Sequence, residues 1–356
     1  MKKLILFLTI TITACSPLPK VSSFVEASSK MREGVSAGFV AIDQSLSLNE
    51  LLTVNSSDKK TASEVEATFK NLNENSKELQ KFSQAMDKSM LGISAYARSL
   101  NNLVETGNSG EKNALQASNA LIGIANEIAP PQVSAVIGIT QEGIAKIYGQ
   151  IARVKAANSL KKIMEEASPT VMTYDTIFSK MLDQLSRYNN AVYKLKRGLL
   201  FTPFSINSTI IDYEKELDSE YIKAFKELTL MSNFRNTNNP EILASLKKMD
   251  ILIIDEKSLD FRQPVLIAQT QKLEAEKLRI SPIIEKLRAS EKKYLDESIA
   301  INQLFNKSKD AIHAWTNAHT DIQQQLNNKV LPNFQELNDI LNDLQEIREK
   351  LKKLNP

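Results

Sequence analysis

The chain has one cysteine among 356 residues, two histidines, one tryptophan and ten glycines. A single thiol, Cys15, excludes a disulfide framework and a zinc–thiolate site. Every glycine lies at or before Gly198, so no later segment carries a glycine-rich phosphate loop. His313 and His319 would point about 120° apart on one helix, so they cannot share a metal ion. Asp310-Ala311-Ile312-His313 has the spacing of half a di-iron bundle site, but no second carboxylate-x-x-His completes it. A Gly-x-Ser-x-Gly elbow and a His-Glu-x-x-His helix are also missing. Glu165-Glu166 and Asp255-Glu256 are adjacent carboxylates, which diverge on a helix. The lysine pairs at 59–60, 161–162, 247–248, 292–293 and 352–353 are interleaved with acids and form no phosphate-tracking stripe. These absences point away from an enzyme, a cofactor, a metal, a small-molecule substrate and a nucleic-acid partner.

The first residues are the most informative. Met1-Lys2-Lys3 is a basic start, Leu4 to Thr13 is uncharged and mostly apolar, and Ala14-Cys15-Ser16-Pro17 follows. This is the layout of a secretory signal. The apolar run is shorter than the roughly 20 residues that span a bilayer. Ile12-Thr13-Ala14-Cys15 resembles the lipobox of bacterial lipoproteins. That resemblance implies a diacylglycerol on the Cys15 thiol, cleavage before Cys15, and a further acyl chain such as palmitate on the new amino group. Several acyl chains anchor stably where one is marginal. Ser16 is compatible, by the same resemblance, with an outer membrane where the source has one. Lys2 and Lys3 leave with the signal, so the 45 basic residues become 43 against 42 acidic. That near-neutral balance gives no general steering towards nucleic acid or anionic lipid. The expected division is a signal peptide at 1–14, a lipidated tether at 15–29 and a helical-bundle domain at 30–356.

The remainder reads as helix, on apolar positions spaced alternately three and four apart. Phe24, Met31, Val35 and Ile42 mark a first helix near 22–50. The series from Val65 through Phe69, Met86, Met90, Ile93, Ala97 and Leu100 to Val104 predicts one about 60 Å long. Val171, Tyr174, Phe178, Met181, Leu185, Tyr188, Val192, Leu195 and Leu199 follow the same spacing without a polar exception. The longest candidate runs from Leu266 to Leu326, with Ser281-Pro282 as a kink or restart. Trp315 and, one turn on, His319 fall on its seam, which predicts a packed histidine. Leu337, Ile340, Leu344, Ile347, Leu351 and Leu354 close the chain. Breaks are expected at 55–58, 107–110, Pro130-Pro131, Ser168-Pro169, Thr202-Pro203 and 236–240, and Ile251 to Ile254 could be a short strand. Narrow apolar stripes on long helices predict an all-α, elongated bundle of coiled-coil-like helices.

Residues 113–157 depart from that pattern. From Asn113 to Thr140 the only charged side chain is Glu127. Helices apolar all round are buried or in lipid. The proline pair predicts a central apolar hairpin, with Ile122, Ile124, Ile128, Val136, Ile137 and Ile139 as its candidate core or membrane-contacting residues. The order of long helix, apolar hairpin and long helix is similar to the α-helical pore-forming toxins. In that family a hydrophobic head packed on the bundle swings out into a target membrane. Arms of about 14 residues favour the buried centre of the bundle. The expected function is therefore a non-enzymatic, lipid-anchored scaffold or interaction protein of the bacterial cell envelope. The membrane holds it through Cys15, and its seams hold a protein partner or a second copy. A membrane-inserting hairpin is the alternative.

Overall fold

The computed structural model describes residues 21–46, 59–106, 110–200, 206–237, 240–241, 244, 256–328 and 334–354. Among them are nine helices and no strand, so the protein is an all-α helical bundle. The helices are α1 (Ser22–Leu46), α2 (Lys59–Thr106), α3 (Gly110–Ile128), α4 (Pro131–Ile137), α5 (Gln141–Lys155), α6 (Leu160–Leu200), α7 (Ile206–Thr237), α8 (Glu256–Asn328) and α9 (Gln335–Leu354). The signal segment, Cys15, Thr202-Pro203 and the possible strand at Ile251 to Ile254 lie outside the described residues. The expected tether at 15–29 is shorter than the composition suggests. Helix α1 begins at Ser22, and Val21, Phe24, Ala27 and Ser28 are buried. The serines of that stretch sit on a helix whose apolar stripe was already complete.

The chain divides into two compact units where a single body from residue 30 was expected. One comprises Met1–Leu46, Leu72–Asn190 and Ile299–Pro356; the other comprises Ser47–Asn71 and Ala191–Ser298. The first has a continuous core that takes in Phe24, Met90, Tyr96, Ile124, Phe178, Phe305 and Trp315. Its helices bury wide faces. On α8, Ala300, Ile301, Leu304, Phe305, Ser308, Ala311, Ile312, Trp315 and His319 are all buried. Small residues allow helices to approach closely. A Cβ at Gly92 of α2 would collide with the Ile124 side chain of α3, so glycine is required there.

The second unit buries a single seam. Leu217 and Ala224 of α7 pack with Leu273 and Ile280 of α8, Tyr221 beside them. Ion pairs flank the seam: Lys277–Asp218 at 2.6 Å and Arg288–Glu214 at 2.8 Å. This is the geometry of an antiparallel coiled coil, and here the narrow-stripe expectation holds.

Three prolines lie inside helices. Ser168-Pro169 was expected to start a helix; instead α6 starts at Leu160, with Ser159 Oγ accepting from the Lys162 backbone N–H at 3.3 Å. Pro169 removes one backbone bond, a cost of about 3 kcal/mol. It is exposed, while Met164, Ala167 and Val171 around it are fully buried, and that burial outweighs the lost bond. Pro264 and Pro282 are likewise exposed within α8, so Ser281-Pro282 does not restart the helix.

Candidate functional site

The apolar segment is built as a corner, not a simple hairpin. Pro130-Pro131 turns the chain by 84° between α3 and α4 and does not reverse it. Helix α4 is only seven residues long, with Pro131 at its first position. Gly138 ends it at φ 67°, a left-handed conformation that glycine adopts without strain. Thr140 then caps α5, its Oγ1 accepting from the Gly143 N–H at 3.1 Å. The returning arm is α5, which packs along α3, and Tyr148 donates to Asn126 Oδ1 at 2.6 Å.

Within this corner Ile124, Ile128 and Ile137 are buried, Ile122 and Ile139 are partly buried, and Val136 is exposed. Most of these candidate residues therefore face the core. No single described helix is long and apolar enough to cross a membrane. The bent pair Glu111–Ile128 and Pro131–Ile137 meets the length and composition criteria together.

The two histidines separate as expected. His313 is on the surface, its Nδ1 3.0 Å from Asp175 Oδ2. His319 is fully buried, and its Nε2 shares a 2.8 Å hydrogen bond with the Tyr96 hydroxyl. Its Nδ1 has no hydrogen-bond partner. Burial pushes the imidazole pKa down to about 3 and pushes the Tyr96 phenol well above its usual range. Trp315 stacks on Phe24 of α1, with ring centroids 4.5 Å apart and planes 16° apart. Trp315 Nε1 donates to Ser28 Oγ at 2.8 Å, and Ser28 donates to the Phe24 carbonyl at 2.8 Å. These contacts clasp the first helix onto α2 and α8. Phe24, Trp315 and His319 were visible as seam positions; Tyr96 and Ser28 were not. Tyr96 adjoins the α2 seam at Ala97, and a wide buried face is the signal that would have included it.

Ser28→Ala is expected to cost about 1–3 kcal/mol, because the buried indole N–H loses its acceptor. Urea unfolding followed by fluorescence checks this, since Trp315 is the only tryptophan.

A surface groove of about 1020 Å³ runs between α6, α8 and α9, and includes Asp175, Asp183, Lys307, Asp310, His313 and Asp343. Its charges largely pair with one another: Lys309–Asp183 at 2.7 Å, Lys307–Asp343 at 2.8 Å and His313–Asp175. The contact with Asp343 raises the Lys307 pKa. Among the described residues no three His, Cys, Asp or Glu converge as metal ligands. No family model, no curated protein and no solved structure matches the chain.

Proposed function

We propose that the protein is a non-enzymatic, lipid-anchored helical scaffold or interaction protein of the bacterial cell envelope, held through acyl chains on Cys15. The observation that carries this is the place of the only cysteine. It ends the lipobox-like Ile12-Thr13-Ala14-Cys15, and five residues separate it from Val21, the first of the described residues, which is buried. A cleaved and acylated Cys15 joins almost directly to a packed bundle. Its role is to bind or position a protein partner, or a second copy, through helical surfaces. Where the source has an outer membrane, that membrane is its site. Cys15→Ala is expected to shift the protein from the membrane fraction to the soluble fraction, or to leave the signal uncleaved. Fractionation and immunoblotting of cells expressing each form check this. An unchanged, fully processed, membrane-bound variant would contradict it.

A second reading, membrane insertion by residues 113–157, is favoured by the bent helix pair alone. It requires Ile124, Ile128 and Ile137 to leave the core first.

A further inference from the structure

We propose that the turn between α5 and α6 is a docking surface for anionic lipid headgroups, and that it faces the membrane in which Cys15 is anchored. The proposal rests on the anchoring reading above and adds an orientation and a contact to it. Arg153, Lys155, Lys161 and Lys162 lie within ten residues that contain no carboxylate, and all four are exposed. Lys161 reaches Glu165 only at 4.0 Å, so one turn of α6 separates these cations from the nearest acid along the chain. Another acid-free basic run, Arg187 to Arg197, differs in that Lys196 and Arg197 reach Glu297 and Glu291 across to α8.

Helix directions place the turn at the end of the first unit where the anchor enters. Phe24 stacks on Trp315 and Phe39 lies against Phe305, so α1 runs antiparallel to α8. Asp175 pairs with His313 and Ser186 bonds Asn302, so α6 also runs antiparallel to α8. The N-termini of α1 and α6 therefore point the same way. From Asp175 back to Lys161 the rise is about 21 Å, and from Phe24 back to Val21 it is about 4.5 Å. Allowing for the short step from His313 to Trp315, the basic turn stands roughly 13 Å beyond Val21 in that direction.

The linker limits how far that end can be from lipid. Six Cα steps join Cys15 to Val21, and fully extended they reach about 20 Å. With Cys15 acylated at the membrane surface, a unit whose basic turn extends past Val21 brings that turn to the headgroups. Lys and Arg near an anionic surface are attracted within roughly a Debye length, about 8 Å at physiological salt. Helix α2 runs antiparallel to α1, so Glu105 near its end and Glu111 near the start of α3 stand at the same end, and the contact is local to the α5–α6 turn.

The test uses the mature chain carrying Cys15→Ser, so that no acyl chain contributes to binding. Co-sedimentation is measured with phosphatidylcholine vesicles and with vesicles that also contain phosphatidylglycerol. At least tenfold tighter binding to the anionic vesicles is expected, weakening as salt is raised. Replacing Arg153, Lys155, Lys161 and Lys162 together by Gln is expected to remove the preference, and Lys292→Gln with Lys293→Gln on α8 to leave it intact. Circular dichroism confirms that both variants are folded. No preference for anionic vesicles, or a preference that survives the four-residue replacement, would overturn the proposal. Failure here is separable from failure of the anchoring reading, which is measured by acylation of the chain with Cys15 intact.

Discussion

Ile137→Glu is expected to unfold the first unit, at a cost of about 3–5 kcal/mol or more, whereas Val136→Glu is expected to change stability by less than about 0.5 kcal/mol. The two residues are neighbours on the same short helix. Ile137 is 2% exposed inside the core, and Val136 is 46% exposed. A glutamate at 137 would sit in the hydrophobic core, where staying charged and becoming protonated are both costly. Thermal and urea unfolding of the two variants measure the difference. If Ile137→Glu instead stays folded with wild-type stability, the segment is not held as core. In that case loss of vesicle leakage in the variant would promote the membrane-inserting reading.

The second large effect is acid sensitivity from His319. Its folded pKa is about 3 against an ordinary 6.5, because burial penalises the charged ring. Below pH 6.5 the unfolded chain binds a proton that the folded chain excludes, so stability falls as pH drops through this window and is flat above it. At about 1.4 kcal/mol per pKa unit, the full loss approaches about 4 kcal/mol near pH 3. His319→Gln removes the titration while keeping a polar group near the Tyr96 hydroxyl. The gap in urea midpoint between neutral pH and mild acid is expected to narrow clearly in that variant. An equal gap in both proteins would show that the imidazole does not carry the effect.

The long helices were legible because their seams run over many turns, despite Ser76 and Ser83 in α2 and Lys277, Glu291 and Ser298 in α8, and α2, α6, α8 and α9 fall where those seams lie. The division into two units was not read, although its mark is in the sequence. On α8 the buried positions from Leu266 to Leu287 form one stripe, whereas from Glu297 to Ile322 they spread over most of the helix. The widening is carried by alanine and serine, Ala300, Ser308, Ala311, Ala314 and Ala318, which hydrophobic periodicity counts as neutral. Pro169 and Pro282 misled for a different reason. A proline signals a helix end through its missing N–H, but packing on both sides can hold an exposed one in place.

The residues with candidate functional weight divide similarly. Cys15 stands out because it is the only cysteine and closes a recognisable motif. The packing role of His319 followed from its seam position next to Trp315, and its bond to Tyr96 required knowing which helices meet. The proline pair was read as a reversal, because the sequence does not show that Gly138 and Thr140 would complete the turn one short helix later.

The central claim is that Cys15 begins the mature chain and carries the anchor. The most direct measurement is mass spectrometry of the N-terminal proteolytic peptide, from protein extracted out of membranes. The account predicts a peptide that starts at Cys15 and carries the mass of two or three acyl chains. A peptide that starts at Met1, or an unmodified Cys15, would contradict it.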